Sequence, residues 1–463
     1  MKKQLLFFVF FLCIGKSSFA QYTKLLDFDG TAKGKYPYGT LYSDGIFLYG
    51  TTSIGGTNDL GTVFKIKPDG TGFSKLLDFA GTTNGSNPYG NLISDGTFLY
   101  GMTVNGGANN LGTIFKIMPD GTGYAKLLDF AGTSNGGNPW GSLISDGTYL
   151  YGMTFVGGSN SMGTVFKIKF DGTGFTKLLD FAGLSNGRNP RGDLFYDGTY
   201  LYGMTSVGGS DNFGVLFKML PNGTGYTKLL NFDSVTNGRN PRGNLIFDGT
   251  YLYGTTSGSG TNSSTNFGTI FKIMPNGTGY VKLLEFDDVT KGRYPYGSLL
   301  SDGTYLYGMS YNGGIDNFGT LYKIMLNGTG FTKLIDFNIT NGQIPWGSLI
   351  AVGSSLYGMT AGGGTALSGV LFKYGISTLS VAKNQKPDDF KIYPNPSNGN
   401  FNIEIDENLI GSKATIFNLL GQKIKDFSLN STTTTEFLNK GIYLLEIEKD
   451  GNKTTQKLIV NKG

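Results

Sequence analysis

Seven residues of the sequence combine side chains suited to recognition with regular spacing: Tyr38, Tyr89, Trp140, Arg191, Arg242, Tyr296 and Trp346. Each stands between a proline and a glycine, and successive members lie 51, 51, 51, 51, 54 and 50 residues apart. Aromatic faces stack on the apolar faces of sugars, and the guanidinium fork matches a carboxylate or sulfate. Both tryptophans of the chain occupy this one position. The set is therefore the candidate ligand-binding site, suited to an acidic or neutral glycan. The competing reading is structural: the same side chains plug a narrow channel or pack on the next repeat.

Other chemistries find less support. The chain has no histidine, and its one cysteine, Cys13, lies in the apolar N-terminal run. Thiol nucleophiles, imidazole acid–base chemistry, disulfides and ordinary zinc sites are thereby excluded from the mature protein. A glycosidase needs two converging carboxylates, and no repeat carries an acidic pair of its own. A lyase with a tyrosine base and an arginine facing a uronate is the enzymatic alternative, and no catalytic residue is assigned. No cofactor is expected; Ca²⁺ is the one candidate ion, through Asp59, Asp211 and Asp316. The Asp-Gly acids Asp44, Asp95, Asp146, Asp197, Asp248 and Asp302 read as turn formers, as do the Asn-Gly-Thr triplets at Asn222, Asn276 and Asn327.

The elements that must position the seven residues recur with them. In residues 139–181, "WGSLIS", "TYLYGMT", "TVFKIKF" and "FTKLLDF" are strand-like runs separated by Asp-Gly turns and a Gly-Gly loop. Their Val, Ile, Phe, Tyr and Thr favour strands, and the turn residues favour hairpins. Four antiparallel strands at a period near 50 predict a propeller blade. Continuous apolar runs such as "LYGMT" fit sheets covered on both faces. Seven "LYG" strands are present, at Tyr49, Tyr100, Tyr151, Tyr202, Tyr253, Tyr307 and Tyr357. The long interval reflects an insertion around residues 259–264. The last copy, residues 345–374, lacks a fourth strand, whereas "KLLDF" at residues 24–28 has no blade before it. Residues 22–28 are therefore predicted to complete the last blade and close the ring, which removes two sheet edges.

The expected fold is all-β: a seven-bladed β-propeller of four-stranded blades closed by the N-terminal strand, then a small C-terminal β-sandwich. Residues 1–20 read as a signal peptide, with Lys2 and Lys3, a short apolar core and Ser18-Phe19-Ala20 at the end. The propeller spans 21–376, a polar linker 377–389 and the second domain 390–463. Removal of Lys2, Lys3 and Lys16 with the signal lowers the net charge from +5 to +2, a balance that does not suggest nucleic acid. No transmembrane segment is expected in the mature chain.

"LYGTTSIGGTNDLGTVFKI", residues 48–66, resembles the GloVer-type tandem repeat of secreted bacterial proteins, a resemblance covering roughly residues 22–374. It implies no single activity. The C-terminal module resembles the sorting domain of the type IX secretion system of Bacteroidota. The matching residues are Tyr393-Pro394-Asn395-Pro396 with Gly399, Gly421-Gln422, Gly441 with Tyr443, and the "KLIV" strand beginning at Lys457. That resemblance implies passage through periplasm and outer membrane, with the translocon and its signal-processing machinery as partners, and a secreted or surface-attached product. The expected function is a monomeric, non-enzymatic binding protein whose propeller meets an extracellular glycan or protein ligand. The alternatives are the lyase and a purely structural surface module.

Overall fold

The computed structural model describes residues 21–258, 267–376, 390–395, 397, 399–418, 423–438, 441–449 and 452–460. The expected signal peptide, the expected linker and the insertion expected at 259–264 lie outside the described residues. The chain divides into two compact units, Met1–Ile376 and Ser377–Gly463.

The first unit contains seven four-stranded antiparallel sheets. Blade 1 runs Tyr42–Ser43, Leu48–Thr52, Thr62–Ile66 and Ser74–Asp78 from centre to rim. Blades 2 to 6 repeat this order over residues 93–129, 144–180, 195–231, 246–285 and 300–336. Blade 7 combines Ile350–Val352, Ser355–Thr360 and Val370–Gly375 with the N-terminal strand Tyr22–Asp27. That strand is antiparallel to Val370–Gly375, with Tyr22 opposite Tyr374 and Asp27 opposite Val370. The orphaned repeat ending thus supplies the missing outer strand.

Seven apolar clusters lie between adjacent blades, one at every junction. The cluster between the last and first blades joins Phe28, Tyr357, Met359 and Leu371 to Leu41, Leu48, Phe64 and Ile66. Burial on both faces explains why second strands such as Leu48–Thr52 and Leu99–Thr103 are wholly buried and why alternation is absent from them. The "LYG" glycine is required there: a Cβ on Gly50 would stand 2.6 Å from the Phe64 ring of the neighbouring strand.

The repeated acids and lysines are structural. Asp146 Oδ1 accepts the N–H groups of Thr148 and Tyr149, and its Oδ2 accepts the hydroxyl of buried Tyr151 at 2.7 Å. Blade 7 has Val352 in this place, and the Tyr357 hydroxyl donates instead to the Pro68 carbonyl. The third-strand lysines lie over rings in or just before the second strand, as Lys167 does over Tyr149 at 4.6 Å and Lys65 over Phe47 at 4.9 Å. Several also reach a carbonyl of the following blade, as Lys65 reaches Pro119. At Asn222 the side chain accepts the Thr224 N–H and hydroxyl, closing a turn.

The second unit packs a three-stranded sheet (Phe390–Tyr393, Asn400–Ile405, Thr433–Phe437) against a four-stranded one (Lys423–Ser428, Lys413–Asn418, Gly441–Lys449, Asn452–Val460). Phe401 and Ile403 from one sheet meet Ile416, Leu445 and Leu458 from the other in a single core, which makes it a sandwich.

Candidate functional site at the channel mouth

Each blade is entered through a short motif in which every position has a separate task. The residue before the proline takes left-handed φ in all seven connections, from 50° at Asn138 to 57° at Tyr294 and Ile344. Among residues with a side chain Asn tolerates this conformation well, and it occupies four of the seven places. Its side chain also clamps the preceding blade: Asn189 Nδ2 donates to the Phe155 carbonyl at 2.9 Å. The glycine after the candidate ligand residue has no room for a Cβ, which on Gly39 would lie 2.8 Å from the Gly90 carbonyl oxygen. The same close approach passes from glycine to glycine around the channel, and a Cβ on Gly347 would lie 2.5 Å from the Gly39 oxygen.

This backbone brings the seven residues together around one small cavity of 60 Å³. Tyr38 meets Tyr89 at 5.0 Å, Tyr89 meets Trp140 at 4.9 Å, Tyr296 meets Trp346 at 4.8 Å and Trp346 meets Tyr38 at 5.1 Å between ring centroids. These rings meet edge-on or tilted, with interplanar angles of 56° to 80°. The Arg191 guanidinium stands 4.6 Å over Trp140 and 4.8 Å over Phe155, and Arg242 stands 4.2 Å over Tyr296. Much aromatic surface is thus covered by neighbours rather than presented as a sugar platform. The cavity has room for a few waters, well below the volume of an ordinary ligand pocket.

Charge is what the mouth leaves uncompensated. Arg191 and Arg242 line the same cavity, and neither forms an ion pair among the described residues. Burial, then the neighbouring Arg242 charge, lowers Arg191 to about 10, so it remains a cation at neutral pH. Arg242 Nε is buried without a hydrogen-bond partner. Burial pushes the Tyr38 hydroxyl up to about 12 and also raises Tyr89 and Tyr296. A tyrosine base requires the opposite shift.

Below the mouth lies a feature that the sequence reading missed. Thr40, Asn91, Ser142, Asp193, Asn244, Ser298 and Ser348 follow the seven glycines, and each accepts a hydrogen bond from the backbone of the preceding blade. The seven bonds, 2.5 to 2.8 Å long, form a closed circle. The available signal was that all seven residues are short and carry a side-chain oxygen. Asp193 is the only acid of the circle. It lines the channel half-buried, and desolvation there raises its carboxyl despite hydrogen bonds from Ser142 and Asn244. Phe155 and Tyr311, which brace Arg191 and Trp346, were also missed; they follow the second strand, where no common residue type marks the position.

The calcium candidates do not converge. Asp59, Asp211 and Asp316 belong to loops of blades 1, 4 and 6, and Asp59 accepts the Gly55 N–H while pairing with Lys35 at 3.1 Å. No group of three acidic or other metal-ligating residues is gathered among the described residues.

In the second unit, Tyr393 is exposed at the end of its strand, and the Tyr393-Pro394 peptide is cis. Gly399 has a φ of 115° against Phe437, and Gly441 and Tyr443 share the strand paired with the one carrying Lys457. Asn395 lies in the turn that follows Tyr393, while Pro396, Gly421 and Gln422 lie outside the described residues.

Seven sheets around a channel, with the last completed by the first strand, define a β-propeller joined to a small sandwich. The chain belongs to the Gloeobacter/Verrucomicrobia repeat family, which matches residues 93–266 and 247–412. Residues 391–461 match a secretion system C-terminal sorting domain. The protein is accordingly a type IX-secreted protein of the cell surface or extracellular space. Among the described residues, no helix is long and apolar enough to cross a membrane.

Among solved structures, the GH74 xyloglucanase of Xanthomonas campestris is similar at a TM-score of 0.52 and 11% identity, covering 83% of this chain and 59% of that one. PorZ, a surface component of the type IX system of Porphyromonas gingivalis, aligns at 0.45 and 13% identity over 94% of this chain; the chain spans 61% of its length. A puromycin-hydrolyzing peptidase of Mycobacterium tuberculosis aligns at 0.49 and 11% identity, covering 79% and 58% of the two chains. No curated protein matches in sequence.

Proposed function

We propose that the propeller is a non-enzymatic binding platform, presented outside the cell, whose channel mouth captures the anionic group of an acidic glycan. The Arg191–Arg242 pair carries this reading. Two guanidiniums line one small cavity, each braced on an aromatic ring and neither ion-paired with a carboxylate among the described residues. Holding like charges together is unfavourable in the empty site and favourable once an anion lies between them. The covered aromatic faces weigh against a neutral sugar stacked deep in the ring. The raised tyrosine hydroxyls weigh against the lyase.

A glycan-array screen of the full secreted chain tests the proposal, repeated with Trp140, Arg191 and Arg242 each changed to Ala. Acidic glycans should dominate the hits, and both arginine variants should lose them. Binding that survives all three changes removes this site, and unsaturated sugar products would restore the lyase.

A further inference from the structure

All five arginines of the chain fall in three consecutive connections, those entering blades 4, 5 and 6. Two connections read "RNPR", Arg188 to Arg191 and Arg239 to Arg242; the third carries Arg293 alone. The first arginine of each motif lies outside the mouth on the same face. Its backbone bridges the segment leaving the second strand, Arg188 with Val207 and Arg239 with Gly258. In other blades this place holds Lys35, Ser86, Gly137 and Gln343.

Charge compensation differs sharply among these basic residues. Lys35 pairs with Asp59, and Arg293 Nε lies 3.3 Å from Asp288 Oδ1. Arg188 donates to the Asn212 side chain at 3.3 Å and has a buried Nε without a partner, and Arg239 lies 5.7 Å from the Phe213 ring. Neither makes an ion pair among the described residues. The acids of these connections and loops form no ion pair with either arginine: Asp233 accepts from Thr236 and Asn237, Asp211 from Ser210, and Asp193 belongs to the channel circle. The outer strand of blade 4 departs in the same sense. Six blades pair a lysine with an acid three residues later, as Lys177 does with Asp180, but blade 4 has Lys228 and Asn231.

Two adjacent blades thus break the repeat symmetry at both the mouth and the position outside it, always toward uncompensated positive charge. We infer that blades 4 and 5 form a radial track for a polyanionic polysaccharide, with one acidic group held by Arg191 and Arg242 and further groups met by Arg188 and Arg239. The inference rests on the anion-binding reading of the mouth and extends it from a single acidic group to a polymer. Three residues of extended chain span at most about 10 Å, so the two arginines of each motif can meet neighbouring acidic units of one strand. Several such contacts on one polymer reinforce each other. Nucleic acid is the weaker fit, because the chain carries a sorting domain for export and its charge is nearly balanced, 38 basic against 33 acidic residues.

Affinity electrophoresis of the full chain through polygalacturonate, with galacturonate titrated in parallel, tests the track. The Arg188→Ser/Arg239→Ser variant installs the residue that blade 2 carries as Ser86, so the fold should tolerate it. It should weaken polymer binding about tenfold while leaving the monomer unaffected. Arg191→Gln/Arg242→Gln should weaken both. Asn231→Asp, which restores the acid of the other blades, should weaken polymer binding by a smaller factor and provides a second variant with an unaltered arginine set. Unchanged polymer affinity in the Ser pair, with loss in the Gln pair, overturns the track and leaves the mouth reading standing. No change in either pair overturns both. Equal affinity for duplex DNA with the same variant dependence overturns the polysaccharide assignment.

Discussion

The backbone N–H of Ser348 donates to Thr40 Oγ1 at 2.8 Å, across 308 residues of sequence. It is the last bond of the circle below the mouth and joins the seventh blade to the first. The Ser348 Oγ in turn accepts the Ser298 N–H at 2.7 Å. Ser348→Ala leaves that N–H without its acceptor, at a cost of about 1–3 kcal/mol, toward the lower end where channel water substitutes. Ser348→Thr keeps the oxygen and should restore the wild-type urea midpoint. Equal midpoints for the Ala variant and the wild type would show that the circle contributes no stability.

Removing residues 21–28 should destabilise the whole ring. Phe28 is fully buried, and Tyr22 stacks on Phe372 at 5.6 Å. The deletion exposes the edge strand Val370–Gly375 as well as this apolar surface. The truncated chain should melt well below the full one; unchanged melting would mean that the ring does not depend on its first strand.

Acid should weaken the propeller through its turn aspartates. At Asp44, Asp95, Asp146, Asp248 and Asp302, partial burial raises the carboxyl, but backbone N–H groups and a tyrosine hydroxyl outweigh it, so each is held below its ordinary value of 3.8. A lowered folded value means that this stability is present above the ordinary carboxylate range and is lost as pH falls through the folded values. Urea midpoints taken from neutral pH downward should fall, and Asp146→Asn should fall less steeply while starting lower. Parallel profiles would contradict the assignment.

Asp193 should behave in the opposite sense. Its raised carboxyl makes the ionised form unfavourable in the fold, a penalty absent at low pH and complete once pH exceeds the folded value. Asp193→Ser supplies the residue that Ser142, Ser298 and Ser348 provide elsewhere. Its stability relative to wild type should therefore improve as pH rises from 3 to 7, as read by denaturant midpoints at each pH; a constant difference would remove the pH role.

The blade count, the closing strand and the convergence of Tyr38, Tyr89, Trp140, Arg191, Arg242, Tyr296 and Trp346 were legible because equal spacing places equivalent residues at equivalent sites. What those residues do there was not. Spacing carries no information about side-chain rotation, so neither the edge-on aromatic contacts nor Arg191 lying between Trp140 and Phe155 could be foreseen. The circle through Thr40 and Ser348 was obscured for another reason. Its seven members are four residue types sharing only an oxygen within reach of the next backbone, a property visible once blade-to-blade distances are known.

Titration of the full chain with galacturonate and galactose, two sugars that differ at the acidic group, separates charge capture from stacking. Galacturonate should bind and galactose should not; Arg191→Gln/Arg242→Gln should abolish the difference, and raised salt should weaken the galacturonate complex. Equal binding of the two sugars, or galacturonate binding untouched by the arginine changes, would contradict capture of an anion at the channel mouth.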